Sequence, residues 1–163
     1  MIEGTPSNEV KKENVSLRQA TEGDSAFIFR AQHEGMRPVR EADGSKKVDD
    51  EEDRLAKHTA TFDPTKIQVI QYQGKDVGRL RVVRSPESLY VGGIQILPEF
   101  QGKGIGTDIF KELIAESNRT NLPIVLEVHD VNEGAITFYE NLGLVKGEKI
   151  KDQTVMTYVP QTK

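Results

Sequence analysis

Ile94-Gln95-Ile96-Leu97-Pro98-Glu99-Phe100-Gln101-Gly102-Lys103-Gly104-Ile105-Gly106 is the stretch on which the reading of this chain turns. Its front end closes an apolar run over 89–97 that reads as a strand. Behind it, Ile109, Phe110, Leu113 and Ile114 recur at the helical period, which predicts a helix over Thr107 to Asn118. Gly102, Gly104 and Gly106 thus stand between a strand and a helix. Glycines are costly to order unless the backbone bends sharply or must approach a ligand closely. Unpaired amides and the dipole at the start of a helix attract anions, typically phosphate, and Lys103 adds a positive charge. Two familiar phosphate loops do not fit. A dinucleotide fingerprint beginning at Gly102 needs glycine at 107, which is Thr107, and a P-loop needs Ser or Thr after its lysine, where this chain has Gly104. A phosphate turn of another type is therefore implied, with a purely structural tight turn as the alternative.

Working outward, residues 66–72 and 77–84 are β-rich and joined by Gln73-Gly74-Lys75-Asp76, a hairpin signal. A second turn at Ser85-Pro86-Glu87-Ser88 leads into 89–97, so three strands form an antiparallel meander. Gly92-Gly93 inside the last strand indicates a bulge or a close backbone approach. Downstream, Asn121 and Pro123 close the helix and 124–128 is a short buried strand. A strand–helix–strand unit implies parallel pairing. Asn132 starts another helix, with Ala135, Ile136, Tyr139 and Leu142 on one face and Gly143 as its stop. Strands at 144–150 and 154–159 end the chain. Upstream, residues 1–13 read as a polar leader and Val15 and Leu17 as a short strand. Thr21 is a candidate cap for a helix carrying Phe27, Ile28 and Ala31 and stopping near Gly35. Residues 36–48 look irregular, and 49–60 a weak helix with Leu55, Ala56 and Thr59 inward. The expected fold is one α/β domain over 14–163. Its mixed sheet, an antiparallel meander followed by a parallel pair, is flanked by about four helices.

Composition narrows the function. The 163 residues suit one domain with a sizeable core. With no cysteine, disulfide scaffolds, zinc-finger ligation and thiol catalysis are excluded. A net charge of -4 argues against a generic nucleic-acid binder. No apolar run reaches the ~18 residues of a membrane span, and the first 13 residues lack the apolar core of a signal peptide, so a cytoplasmic location is expected. His33, His58 and His129 have no metal-ligand spacing, so no metal is expected. Between 41 and 53, seven acids (Glu41, Asp43, Asp49, Asp50, Glu51, Glu52, Asp53) face only Lys46 and Lys47. This is either a solvated face or an acidic rim that draws in a cationic substrate.

The stretch 94–106 resembles the acetyl-CoA motif of the GNAT superfamily of N-acetyltransferases, with its Gln/Arg-x-x-Gly-x-Gly/Ala core. Leu126-Glu127-Val128-His129-Asp130-Val131-Asn132, followed by Ala135, Phe138-Tyr139-Glu140 and Leu142-Gly143-Leu144, resembles that family's other hallmark segment. Both occur in the family's order and at its usual separation, over about residues 89–145. The resemblance implies acetyl-CoA as cosubstrate. Its pyrophosphate would lie on the amides of Gly102, Lys103, Gly104, Ile105, Gly106 and Thr107, next to Gln101. Its pantetheine arm would pair like an extra strand with the backbone of Ile94, Gln95 and Ile96, where the family splays its parallel strands apart. Asn132 would touch the arm, or simply cap its helix. Family members are often dimers.

Acetyl transfer to an amine needs a base, because an amine of pKa ~10.4 is protonated at neutral pH. It also needs donors for the carbonyl oxygen and a proton for the leaving thiolate. Tyr139 lies two turns beyond Asn132, roughly 10 Å along the same helix face. The resemblance gives a tyrosine there the role of general acid; a half-buried core tyrosine is the alternative. Glu127 interrupts an apolar strand, a costly placement unless it faces a cleft or a partner. Partial burial would raise its pKa toward a useful range. The Glu127–Tyr139 pair is similar to that in ribosomal-protein alanine acetyltransferases, where the glutamate is the base. An exposed edge residue is the alternative, with His129 a competitor and His33 and Glu34 weaker ones. The expected acceptor is a primary amine, small rather than a peptide terminus or lysine, with a cationic one favoured by the acidic segment. A non-catalytic acyl-CoA sensor is the reading from another class.

Overall fold

The computed structural model describes residues 14–42 and 51–161. Seven strands make one mixed sheet: β1 (Val15–Gln19), β2 (Gln68–Tyr72), β3 (Lys75–Arg84), β4 (Leu89–Ile96), β5 (Ile124–His129), β6 (Val145–Ile150) and β7 (Gln153–Tyr158). Their order is β1-β2-β3-β4-β5-β7-β6. Four longer helices, α1 (Ser25–Gly35), α3 (Glu51–Thr61), α4 (Ile105–Thr120) and α5 (Glu133–Asn141), accompany a six-residue α2 (Arg37–Ala42). The leader at 1–13 lies outside the described residues.

The meander forms as its turn residues require. Gln73 and Gly74, both with positive φ, close the β2–β3 hairpin. Opposite the Arg81/Val82 step the β3–β4 register shifts, so Gly92 is the extra residue of a bulge. Next, β4 pairs in parallel with β5, but only over Leu89↔Ile124 and Tyr90↔Val125. Past Tyr90 the two strands part. β5 continues antiparallel with β7 along its whole length, so the splayed edge belongs to β4.

Two cores sandwich the sheet. Under α4 and α5, Phe110, Ile109, Leu113 and Ile105 pack on Ile70, Leu80, Ile124, Leu126 and Met156. On the other face Ile28 packs with Ala20 and Val69, bordered by Phe27, Phe62 and Ile67. The apolar period of each helix dictates which side it covers.

Three upstream expectations are corrected. Residues 37–42, expected to be irregular, are helical as α2. In α3, Leu55, Ala56 and Thr59 are exposed, and His58 points inward, against Phe29 and Phe62. Thr21 caps a 3-10 turn, Glu22–Asp24, that precedes α1. Gly35 does end α1, but without a positive φ. Its small size matters instead: a β-carbon there would sit 2.8 Å from Gln95 Cβ on β4. This glycine lets α1 approach the splayed strand.

Arg18 on β1 locks the entry to α1. Its Nη2 donates to Asp24 and Asp76 at 2.8 and 2.9 Å. Hydrogen bonding to Arg18 holds the Asp24 carboxyl well below the usual carboxylate range. That stabilisation is complete above the unfolded pKa of about 3.9 and is lost as pH falls toward the folded value. Arg18→Met is expected to cost about 1–3 kcal/mol at neutral pH and to flatten the acid limb of stability, as read by urea unfolding at several pH values.

Candidate active site

The β4–β5 divergence opens the molecule. One cleft, of about 470 Å³, runs from Gln32, Gly35 and Met36 of α1 across Arg79, Arg81 and the 90–96 segment to Glu127, His129, Asn132 and Tyr139. A second, of about 520 Å³, lies over Gly102, Gly104, Ile105, Gly106 and Thr107, with Phe138 and Tyr139 on its far wall. Ile94, Ile96, Gln101, Ala135 and Tyr139 line both. The two clefts thus lie side by side where the sheet's pairing is missing, with these five residues between them.

In the glycine segment, Gly102 and Gly104 take φ of 79° and 81°, a region costly for residues with a β-carbon. Gly104 is the N-cap of α4, which therefore begins two residues earlier than the periodicity predicts. The first backbone bond of the helix runs from Asp108 N–H to Gly104 C=O at 3.0 Å. The amides of Ile105, Gly106 and Thr107 have no partner inside the helix. A β-carbon built at Gly102 or Gly104 meets nothing within 4 Å, so the concavity over these amides is open. A β-carbon at Gly106 would lie 3.3 Å from Phe138 Cζ, which ties the loop to α5. Lys103 is exposed at the rim. The Gln101 side chain turns inward to the backbone, where its Nε2 donates to Ile96 C=O at 2.9 Å and braces the loop against β4.

On the far wall, Asn132 caps α5 by accepting from Ala135 N–H at 3.3 Å. Tyr139 packs in an aromatic triangle with Phe110 and Phe138, at centroid distances of 5.4 and 5.3 Å. Burial pushes its phenol up to about 12, so it keeps its proton at any physiological pH.

Glu127 lies on the cleft wall but is exposed, without the partial burial expected of it. Tyr90 Oη donates to Glu127 Oε1 at 3.4 Å. Burial, then the Glu127 charge, raises the Tyr90 phenol. His129 lines the same cleft, with Nδ1 3.9 Å from Asp152 Oδ2. His33 and Glu34 do not line it: His33 stacks on Phe29, and Glu34 pairs with Arg30 at 2.9 Å. The side chains of Asp43 through Asp53 lie outside the described residues. Among the described residues, no group of three His, Asp or Glu could hold a metal ion, and no helix is long and apolar enough to cross a membrane.

Sequence reasoning missed Tyr90, Arg79 and Arg81 as cleft residues. The signal for the arginines was present in Val77-Gly78-Arg79-Leu80-Arg81-Val82: the alternation puts both on one face of β3, opposite Leu80 in the core.

A splayed parallel pair, leading into a glycine turn whose helix amides are free, stands in this chain where the two sequence motifs fall, and the model of the acetyltransferase (GNAT) family matches residues 28–144. The chain belongs to the GNAT acetyltransferase family. Its fold is similar to those of solved GNAT structures. An acetyltransferase of the GNAT family from Bacillus anthracis is 14% identical, with 91% of this chain and 96% of that one covered at a TM-score of 0.67. PaiA N-acetyltransferase from Thermoplasma acidophilum, solved in complex with coenzyme A, is 13% identical over 89% of this chain and 98% of that one, at 0.64. Ard1 from Thermoplasma volcanium is 16% identical, covering 91% and 99%, at 0.62. No curated protein sequence matches this GNAT chain.

Proposed function

We propose that this protein is an acetyl-CoA-dependent N-acetyltransferase that acts on a small primary amine by direct transfer in a ternary complex. The observation that carries the proposal is the pair of clefts that share Tyr139 at the β4–β5 divergence. An unpaired β4 edge leads from an open amide nest at Gly102–Thr107 to Tyr139, and Tyr139 also lines the cleft containing Glu127. Acetyl-CoA supplies an activated acetyl thioester at the junction. The amides of Ile105, Gly106 and Thr107 suit its phosphates, with Lys103 at the rim. The β4 backbone from Ile94 to Ile96 suits its amide-rich arm, although Gln101 already occupies one lone pair of Ile96 C=O.

Glu127, directly or through one water, removes a proton from the acceptor ammonium. The freed amine attacks the acetyl carbon, and backbone amides of the β4 edge stabilise the oxyanion. The C–S bond then breaks, Tyr139 gives its phenolic proton to the departing thiolate, and the new amide nitrogen releases its surplus proton to solvent. Solvent returns that proton to Tyr139. With no cysteine in the chain, no thiol of the protein carries the acetyl group.

The first test is calorimetric titration of acetyl-CoA, CoA and desulfo-CoA, then thiol release with amines, peptides and lysine-containing peptides. Binding without thiol release from any acceptor would favour the sensor reading; no binding would overturn both. Glu127→Gln is expected to lower kcat/KM about 10²-fold, the lower end for a general base because water reaches this exposed carboxylate. An unchanged kcat/KM in Glu127→Gln, with the loss appearing instead in His129→Gln, would transfer the role to His129.

A further inference from the structure

Two arginines on the floor of the acceptor cleft have no carboxylate partner among the described residues. Arg79 is 5% exposed. Its Nη1 donates to Gln95 Oε1, its partner in register on β4. Its Nε is buried with no hydrogen-bond partner. Arg81, two residues on, faces the same cleft. Among the described residues no carboxylate pairs with either. Burial and the neighbouring Arg81 charge depress the Arg79 guanidinium to about 10, so Arg79 remains a cation at neutral pH.

Three other guanidinium groups of the described residues are paired with carboxylates. Arg18 holds Asp24 and Asp76, Arg30 holds Glu34 and Glu99, and Arg84 holds Glu116. A buried unpaired charge is strongly unfavourable, and a second like charge beside it worsens the cost. The backbone nevertheless makes room for both. A β-carbon at Gly93 would lie 2.5 Å from Arg79 Nη1, and one at Gly92 would collide with Arg81 Nη1. The glycine bulge of β4 is thus the space into which the two side chains project.

We propose that the acceptor amine also carries an oxyanion group, a carboxylate or a phosphate, which Arg79 and Arg81 bind. This inference rests on the acetyl-transfer reading for the amine and on the geometry of the arginines for the anion. A planar guanidinium offers a fork of donors that matches such oxygens. Anchoring the anion on the β3 floor turns the amine toward the β4–β5 gap and Glu127. Two guanidinium groups in this position speak against the cationic acceptor that the acidic 41–53 segment suggests.

The test has a turnover arm and a binding arm. L-amino acids, their carboxamides and matching aminoalkylphosphonates are compared as acceptors with acetyl-CoA. The acids or the phosphonates are expected to exceed the amides in kcat/KM by at least about tenfold, and Arg79→Met should erase the preference by raising KM. Arg81→Met, at a half-buried site, is the second variant should the first fold poorly. In the binding arm, the arginine Nε–H signals of 15N-labelled protein, with Arg79 assigned through Arg79→Lys, are followed as acetate, inorganic phosphate or methylamine is added. A saturable shift of the Arg79 signal with acetate or phosphate, and none with methylamine, supports the proposal and tells the two anions apart. Preference for amides, or an Arg79 signal unmoved by both anions, overturns it. If no acceptor releases thiol, the acetyl-transfer reading fails while the binding arm still decides the anion site.

Discussion

Tyr139→Phe is expected to lower kcat roughly 10³-fold while the affinity for CoA changes less than about twofold. The phenyl ring keeps the packing against Phe110 and Phe138, so the fold and the shape of the two clefts persist. Only the hydroxyl is lost, and with it the proton that the proposed mechanism gives to the thiolate. Because burial holds the phenol up to about 12, the wild-type rate should show no alkaline fall from this group until pH approaches that value. Folding favours the protonated phenol. Its contribution to stability is therefore complete below the unfolded pKa of about 10 and lost as pH rises toward 12. Tyr139→Phe should abolish that alkaline loss. Steady-state kinetics, CoA titration and unfolding at high pH check the three parts together. A kcat within threefold of wild type would make Tyr139 a packing residue only.

Gly104→Asp should weaken CoA binding by at least about 10²-fold. Two costs combine. A β-carbon at φ 81° is strained by about 1–2 kcal/mol, roughly tenfold if the loop relaxes to avoid it. The carboxylate then enters the open space above the free amides of Ile105 and Gly106, where it competes for the donors and repels phosphate. Gly104→Ala separates the terms, since it has the strain without the charge, and should lose only about tenfold. Calorimetric titration of CoA reads both. Equal affinity in all three proteins would leave the glycines with a turn-forming role alone.

Local pattern made most of the chain from residue 66 onward legible. Strand and helix periods, the Gly74 turn, the Asn132 cap and the Gly143 stop each act over a few residues, and the structure follows them closely. The glycine segment was legible for the same reason: a left-handed backbone position leaves its mark in residue type. The chain before residue 66 was read less well. In α3 the inward residue is His58, a polar type whose burial against Phe29 and Phe62 depends on α1 lying alongside. Gly35 looked like a helix stop, yet it is small because Gln95, far along the chain on β4, lies against it.

By itself the sequence determined the α/β class, the meander, the strand–helix–strand unit and the amide nest, because backbone propensity and turn chemistry are encoded within neighbouring residues. Tertiary structure alone decided how far the parallel pair extends, which makes Tyr139 line both clefts and leaves Glu127 exposed. It alone decided that Arg79 is buried beside Arg81 with no carboxylate paired to it among the described residues. Burial and charge pairing are properties of what the rest of the chain brings near, and no local pattern carries that information.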